Sequence, residues 1–156
     1  MLKLALAVVL LCFITSPALA FWTTCPEFPG ARGPDRVDTP MCDSERCFAV
    51  RGEYFIANIT LSSPDVHHEL LSECIAFIAG IGIPLPMEPP HDNGCNAIFR
   101  NGVQQSCPTT PNNQYVWVVE QRIIEGIPAF QNTRVQYRIR DRGQLVGCVQ
   151  FWATVV

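Results

Sequence analysis

The sequence predicts an all-β domain, a sandwich or a barrel, and three observations carry that prediction. Short apolar runs alternate with polar residues at a period of two. Clusters of Pro, Gly, Asn and Asp separate them, and no stretch sustains helical spacing without breakers. The chain has 156 residues, a single-domain length with no internal repeat and no linker.

Residues 1–20 read as a secretory signal. Lys3 supplies the positive start, Leu4 to Ile14 is an unbroken apolar run, and Ala18-Leu19-Ala20 offers small residues for cleavage. The expected domain is 21–156. The run is too short to span a bilayer, and no later stretch approaches the roughly 20 apolar residues that a membrane helix needs. Past residue 20 every basic residue is arginine, and seven of the eight cysteines remain. In an oxidising compartment these read as a disulfide framework before they read as a metal site. The net charge is −3 and the arginines are scattered, so there is no basic stripe for phosphate; nucleic acid is excluded as a partner. The predicted location is extracellular or a lysosome-like lumen.

Thr23 to Arg46 is rich in Pro, Gly, Asp and Arg with little apolar periodicity, and it is expected to be irregular and tied down by its cysteines. Next, Phe55, Ala57, Ile59 and Leu61 alternate with Tyr54, Ile56, Asn58 and Thr60. Asn58-Ile59-Thr60 is an N-glycosylation acceptor, and a sugar on Asn58 would turn the even set outward and the odd set inward. Val66 to Leu85 carries two patterns. Leu70, Leu71, Cys74, Phe77 and Ile78 recur at helical spacing, but Gly80, Gly82, Pro84 and Pro86 resist a helix. Ile75, Phe77, Ala79, Ile81, Ile83 and Leu85 form an odd-numbered apolar file, which favours a strand running into an extended proline-bounded segment.

Pro86 to Gln114 holds little regular structure beyond a short piece near Ile98. Three strands follow. Tyr115 to Ile124 presents Tyr115, Trp117, Val119 and Ile123 on one face, and Thr133 to Arg140 alternates Val135, Tyr137 and Ile139 against a wet face of Arg134, Gln136, Arg138 and Arg140. Asp141-Arg142-Gly143-Gln144 is a solvated hairpin turn into a last strand, Gly147 to Val155, which carries Val149 and Phe151 inward.

Sequence alone fixes no disulfide connectivity. Three pairings suit such a layout: Cys42 with Cys47 across a short acidic turn, Cys95 with Cys107 across the long loop, and Cys25 tying the N-terminal arm to Cys148. Cys74 is left unpaired. Its strand parity, opposite to Phe77, points it away from any cavity, as a free thiol or an intermolecular bridge. Catalysis finds no support: there is no Gly-x-Ser-x-Gly elbow, Cys74 has no histidine beside it in sequence, and no carboxylate pair stands in an apolar setting. His67-His68 and His91-Asp92 do not converge as metal ligands on either a strand or a helix. No cofactor and no metal is expected.

The order of six cysteines resembles a known family. So do Cys42-x4-Cys47 followed by Arg51-Gly52, Asn58-Ile59-Thr60, Ala79-Gly80-Ile81-Gly82-Ile83-Pro84-Leu85-Pro86, Cys107-Pro108, Tyr115-Val116-Trp117, and Pro128 with Asp141 before Cys148. Over nearly all of 21–156 the chain is similar to the ML lipid-recognition domains, in their Niemann-Pick type C, epididymal secretory branch of arthropod type. The resemblance implies an immunoglobulin-like β-sandwich of two antiparallel sheets, three disulfides and an apolar cavity between the sheets. It implies a small apolar ligand, a sterol, fatty acid or related lipid, held by a monomer that docks to a membrane or receptor for hand-off. Leu85 takes the place of a pocket-gating aromatic, and Ile123 and Ile127 match residues at the pocket mouth. The lining would come from the inward files: Phe55, Ala57, Ile59, Phe77, Ala79, Ile81, Tyr115, Trp117, Val119, Val135, Tyr137, Val149 and Phe151. The chain departs from the family in Thr24-Cys25-Pro26, where Asp-Cys-Gly is usual, and in its longer Cys95–Cys107 loop. A competing class is a protein-recognition module, either a lipid-presenting immune co-receptor or a solid-core adhesion-type sandwich, with Cys74 and that loop as its contact surface.

Overall fold

The computed structural model describes residues 21–156; the expected signal segment lies outside the described residues. Among the described residues eleven strands form two sheets. The first sheet contains β1 (Trp22–Thr24), β3 (Cys47–Ala49), β5 (Leu71–Ile78), β6 (Ile81–Leu85), β10 (Phe130–Asp141) and β11 (Gln144–Val155). They run in the order β1-β11-β10-β5-β6, with β3 joined to β11 in a parallel pairing. The second sheet contains β2 (Arg36–Asp38), β4 (Tyr54–Ser63), β7 (Ile98–Arg100), β8 (Val103–Gln104) and β9 (Asn113–Arg122), in the order β2-β4-β9-β7-β8. A single 3-10 turn at Gly94–Asn96 is the only helical element among the described residues. The sheets stack face to face as an immunoglobulin-like sandwich.

Strict alternation builds the inner faces. On β4, Phe55, Ala57 and Ile59 are buried while Tyr54, Ile56 and Asn58 are exposed, the parity expected from the glycosylation triplet. They pair in register with Gln121, Val119 and Trp117 of β9. Across the sandwich, Val135, Tyr137 and Ile139 of β10 lie beside Phe151, Val149 and Gly147 of β11.

The Val66–Leu85 segment is no single strand. Ala79 and Gly80 both take positive φ, 51° and 82°, and make a two-residue hairpin turn that folds β6 back on β5. That turn exchanges the parity assumed for one continuous file, since even residues of β5 pair with odd residues of β6. On β5 the even residues Ser72, Cys74 and Ala76 are buried inward, so Cys74 faces the interior, contrary to expectation. Phe77 faces outward, beneath the Arg134 guanidinium, which sits 3.9 Å from its ring centre. Ala79 occupies the turn itself, and Ile81 at the hairpin tip is 68% exposed.

The arginine-bearing face of β10 is also drier than its sequence suggests. The N-terminal segment crosses it, and Gln136 is fully buried there. Its amide donates to Glu27 Oε1 at 2.7 Å and Gln150 Oε1 at 3.1 Å, and its oxygen accepts from Arg138 at 2.6 Å. Glu27 pairs with Arg134 at 3.2 Å, and Phe28 lies under Arg138. Cys25–Cys148 pins this arm, closing a separation of 123 residues; Cys42–Cys47 and Cys95–Cys107 complete the three bridges. Each adds about 2–4 kcal/mol by restricting the unfolded chain.

Candidate functional site

The two sheets do not meet along their whole length. At one end they enclose a cavity of about 270 Å³, near the lower end of the roughly 300–1,000 Å³ usual for ligand pockets. Its floor is aromatic. The rings of Phe55, Tyr137 and Phe151 lie 5.7–6.1 Å apart, centre to centre, at the spacing where offset and edge-on pairs attract. Its walls are made of small residues: Cys47 and Ala49 of β3, Cys74 and Ala76 of β5, and Ala153 of β11. Each ends short of the facing sheet, and together they leave the space. Its mouth lies between Ile83 and Leu85 of β6 and the loop after β9, where Gly126, Ile127 and Pro128 lead into Phe130. Gly126 and Pro128 are exposed, which opens this end to solvent.

The structure brings Phe55, Leu85, Ile123, Ile127, Val135, Tyr137 and Phe151 together around this cavity. Others on the expected lining lie elsewhere. Tyr115 and Trp117 border a separate void of about 50 Å³ at the opposite end, and Ala57, Ile59, Val119 and Val149 are buried core residues off the cavity wall. Phe77, Ala79 and Ile81 sit outside it, for the reasons of turn and parity given above. Sequence reading missed the small walls. Ala49, Ala76 and Ala153 alternate correctly with their neighbours, but alanine is a weak mark of an inward position. It also missed Gln121, a polar residue in an apolar file.

Among the described residues no charged side chain lines the cavity. Its heteroatoms belong to Gln121, Thr133, Tyr137 and the Cys74 thiol, the Cys42–Cys47 bridge apart. Cys74 is free and buried, in hydrogen-bonding contact with the Tyr137 hydroxyl. Burial pushes the thiol pKa up to about 12, and burial with the neighbouring thiol raises the Tyr137 phenol well above its ordinary value. A thiol so placed cannot bridge a second molecule.

His67 and His91 make contacts that hold the fold together. Among the described residues no group of three His, Cys, Asp or Glu side chains is placed to hold a metal. His91 bonds the Val118 carbonyl at 3.1 Å and faces Glu120. His67 lies between the Ser63 hydroxyl, 2.8 Å away, and Asp141 Oδ2, 3.2 Å away. Asp141, expected in a solvated hairpin, is therefore buried, clamping the 63–70 loop to the β10–β11 turn. Burial by itself raises its carboxyl pKa, but hydrogen bonds from His67 and the Glu69 N–H, with the charge of Arg142, overcome that and hold it below the usual value.

Fold and site together define a disulfide-stapled β-sandwich whose sheets part over an apolar, charge-free cavity. The chain belongs to the ML domain family, whose model matches residues 22–155. It is similar to the NPC intracellular cholesterol transporter 2 of Danio rerio, 27% identical over 122 residues that cover 78% of this chain and 76% of that one. Among solved structures it is similar to a Niemann-Pick type C2 protein from the Japanese carpenter ant, at a TM-score of 0.71 and 15% identity. The match covers 86% of this chain and 98% of the ant protein. At that identity the likeness speaks for the fold.

Proposed function

We propose that the protein is a secreted, monomeric lipid carrier that holds a sterol, fatty acid or similar apolar molecule between its sheets. The carrying observation is the cavity: about 270 Å³, walled by apolar groups, free of charge and open at one edge. Affinity then comes from apolar burial at about 25 cal/mol per Å². The guest enters between β6 and the loop after β9, past Leu85 and Ile127, and is handed on at a membrane or receptor. A transport role is the reading that the zebrafish relative's name supports. Secretion rests on the signal-like residues 1–20, and Asn58 is exposed on the outer face of β4, free to carry a sugar. The solid-core alternative conflicts with the cavity, and a contact surface built on Cys74 conflicts with its burial. Displacement of a fluorescent fatty acid or sterol tests the reading: the expected result is stoichiometric uptake with micromolar or better affinity, and a pure protein that takes up no probe defeats it.

A further inference from the structure

Among the described residues, four buried side-chain atoms lack a hydrogen-bond partner: Ser72 Oγ, Trp117 Nε1, Gln121 Oε1 and Thr154 Oγ1. Of these residues only Gln121 lines the cavity. It is 2% exposed and projects inward from β9 opposite Phe55 of β4. Its amide orientation is not arbitrary. The nitrogen donates to the Pro86 carbonyl at 2.9 Å and to the Arg122 carbonyl at 3.1 Å. Turning the amide over would set an oxygen against two carbonyl oxygens, so the unpaired atom is necessarily the acceptor. A buried acceptor without a donor costs the protein more than a paired one returns.

The other heteroatoms around the cavity do not compete for a donor in the same way. The Tyr137 hydroxyl and the Cys74 thiol lie against each other, and each can donate as well as accept, so neither selects for a donor. Thr133 carries a hydroxyl, which can turn to donate or to accept and so selects for neither. Among the described residues no arginine, lysine or histidine lines the cavity to neutralise an ionised head group.

We infer that Gln121 is a specificity-determining residue that selects, among apolar guests, those carrying a hydrogen-bond donor, with the guest's hydroxyl donating to Gln121 Oε1. The preferred class is an uncharged lipid alcohol. An alkane or an ether of the same length leaves the acceptor unpaired, and an ionised carboxylate brings a second acceptor where a donor is wanted. This inference rests on the carrier reading and narrows it.

The test compares 1-dodecanol, 1-methoxydodecane and dodecanoate as competitors of a fluorescent probe at neutral pH, in the wild type and in Gln121→Leu. The alcohol-to-ether affinity ratio is expected to fall roughly tenfold on substitution, the worth of one buried acceptor satisfied. An unchanged ratio overturns the inference while leaving the carrier reading intact. Should the variant fail to fold, the side-chain carbonyl carbon of Gln121 is followed by NMR in the labelled wild type. It is expected to shift with the alcohol and not with the ether; a resonance that ignores the alcohol overturns the inference equally. A wild-type protein that binds none of the three ligands and no probe refutes the carrier reading, and this inference with it.

Discussion

The two ends of the sandwich are made from the same four long strands and reach opposite results. At the closed end Trp117, 1% exposed, fills the space between the sheets beside Leu70, Ile98 and Ile139, and only about 50 Å³ is left. Gly147 lets β11 come close: a Cβ there would lie 2.7 Å from Ile139 Cγ2. At the open end Cys47 and Ala49 of β3, Cys74 and Ala76 of β5 and Ala153 of β11 are small, and the sheets enclose about 270 Å³. Side-chain volume, at constant backbone topology, decides where a sandwich is solid and where it is hollow. The closed end should therefore carry stability and the open end should carry binding.

The sharpest way to break this division is Trp117→Ala. Removing the largest fully buried side chain should cost about 3–5 kcal/mol, read as a fall in the urea midpoint with the slope unchanged. A loss under about 1 kcal/mol would mean that the closed end is not the keystone of the core. Gly147→Ala should follow at about 1–3 kcal/mol, because Ile139 or the strand itself has to move to admit the methyl.

Ala76→Phe probes the other end. Ala76 stands between Val135 and Ile83 on the cavity wall, and a ring placed there occupies the room intended for a guest. Probe affinity should fall at least about tenfold, or 1.4 kcal/mol, while the thermal midpoint holds or rises. A variant that binds as the wild type does would move the site elsewhere.

The clamp at the closed end gives a smaller, pH-dependent effect. Asp141 has a folded-state pKa below its ordinary value, so its contribution is complete above about pH 4 and is lost as pH falls through the lower folded value. Asp141→Ala should cost about 1 kcal/mol at neutral pH, and the gap between wild type and variant should close in strong acid. A gap that widens on acidification would contradict the sign.

How much of this was legible beforehand differs between the ends for the same physical reason. Bulky alternation is loud: Phe55, Ile59, Trp117 and Tyr137 announced their face, and the three cysteine pairs matched the layout. The hollow was quiet, because it is made by residues chosen for being small. The Ala79-Gly80 turn was readable in principle from its glycine, but an apolar file that appeared to run on through Ile81 hid it. One two-residue turn is enough to take Phe77, Ala79 and Ile81 off the cavity wall and to turn Cys74 inward. Gln136 and Asp141 were misjudged differently: their cover comes from Glu27 and His67, far away in sequence, and strand periodicity says nothing about what a distant loop will lay over a polar face.

Cys74 offers the gentlest test, since the expected outcome is no reaction. The thiolate is the reactive form, and a thiol whose pKa is pushed up to about 12 leaves about one molecule in ten thousand ionised near pH 8. Its place on the cavity wall, bonded to Tyr137, adds a steric barrier that an open mouth only partly relieves. Iodoacetamide should thus label the native protein hardly at all and the urea-unfolded protein at one equivalent. A bound guest should slow what little native labelling there is, since it covers the same wall. Rapid native labelling that a guest leaves untouched would place the thiol on a surface, and would return the open end to the outward parity that the sequence alone suggested.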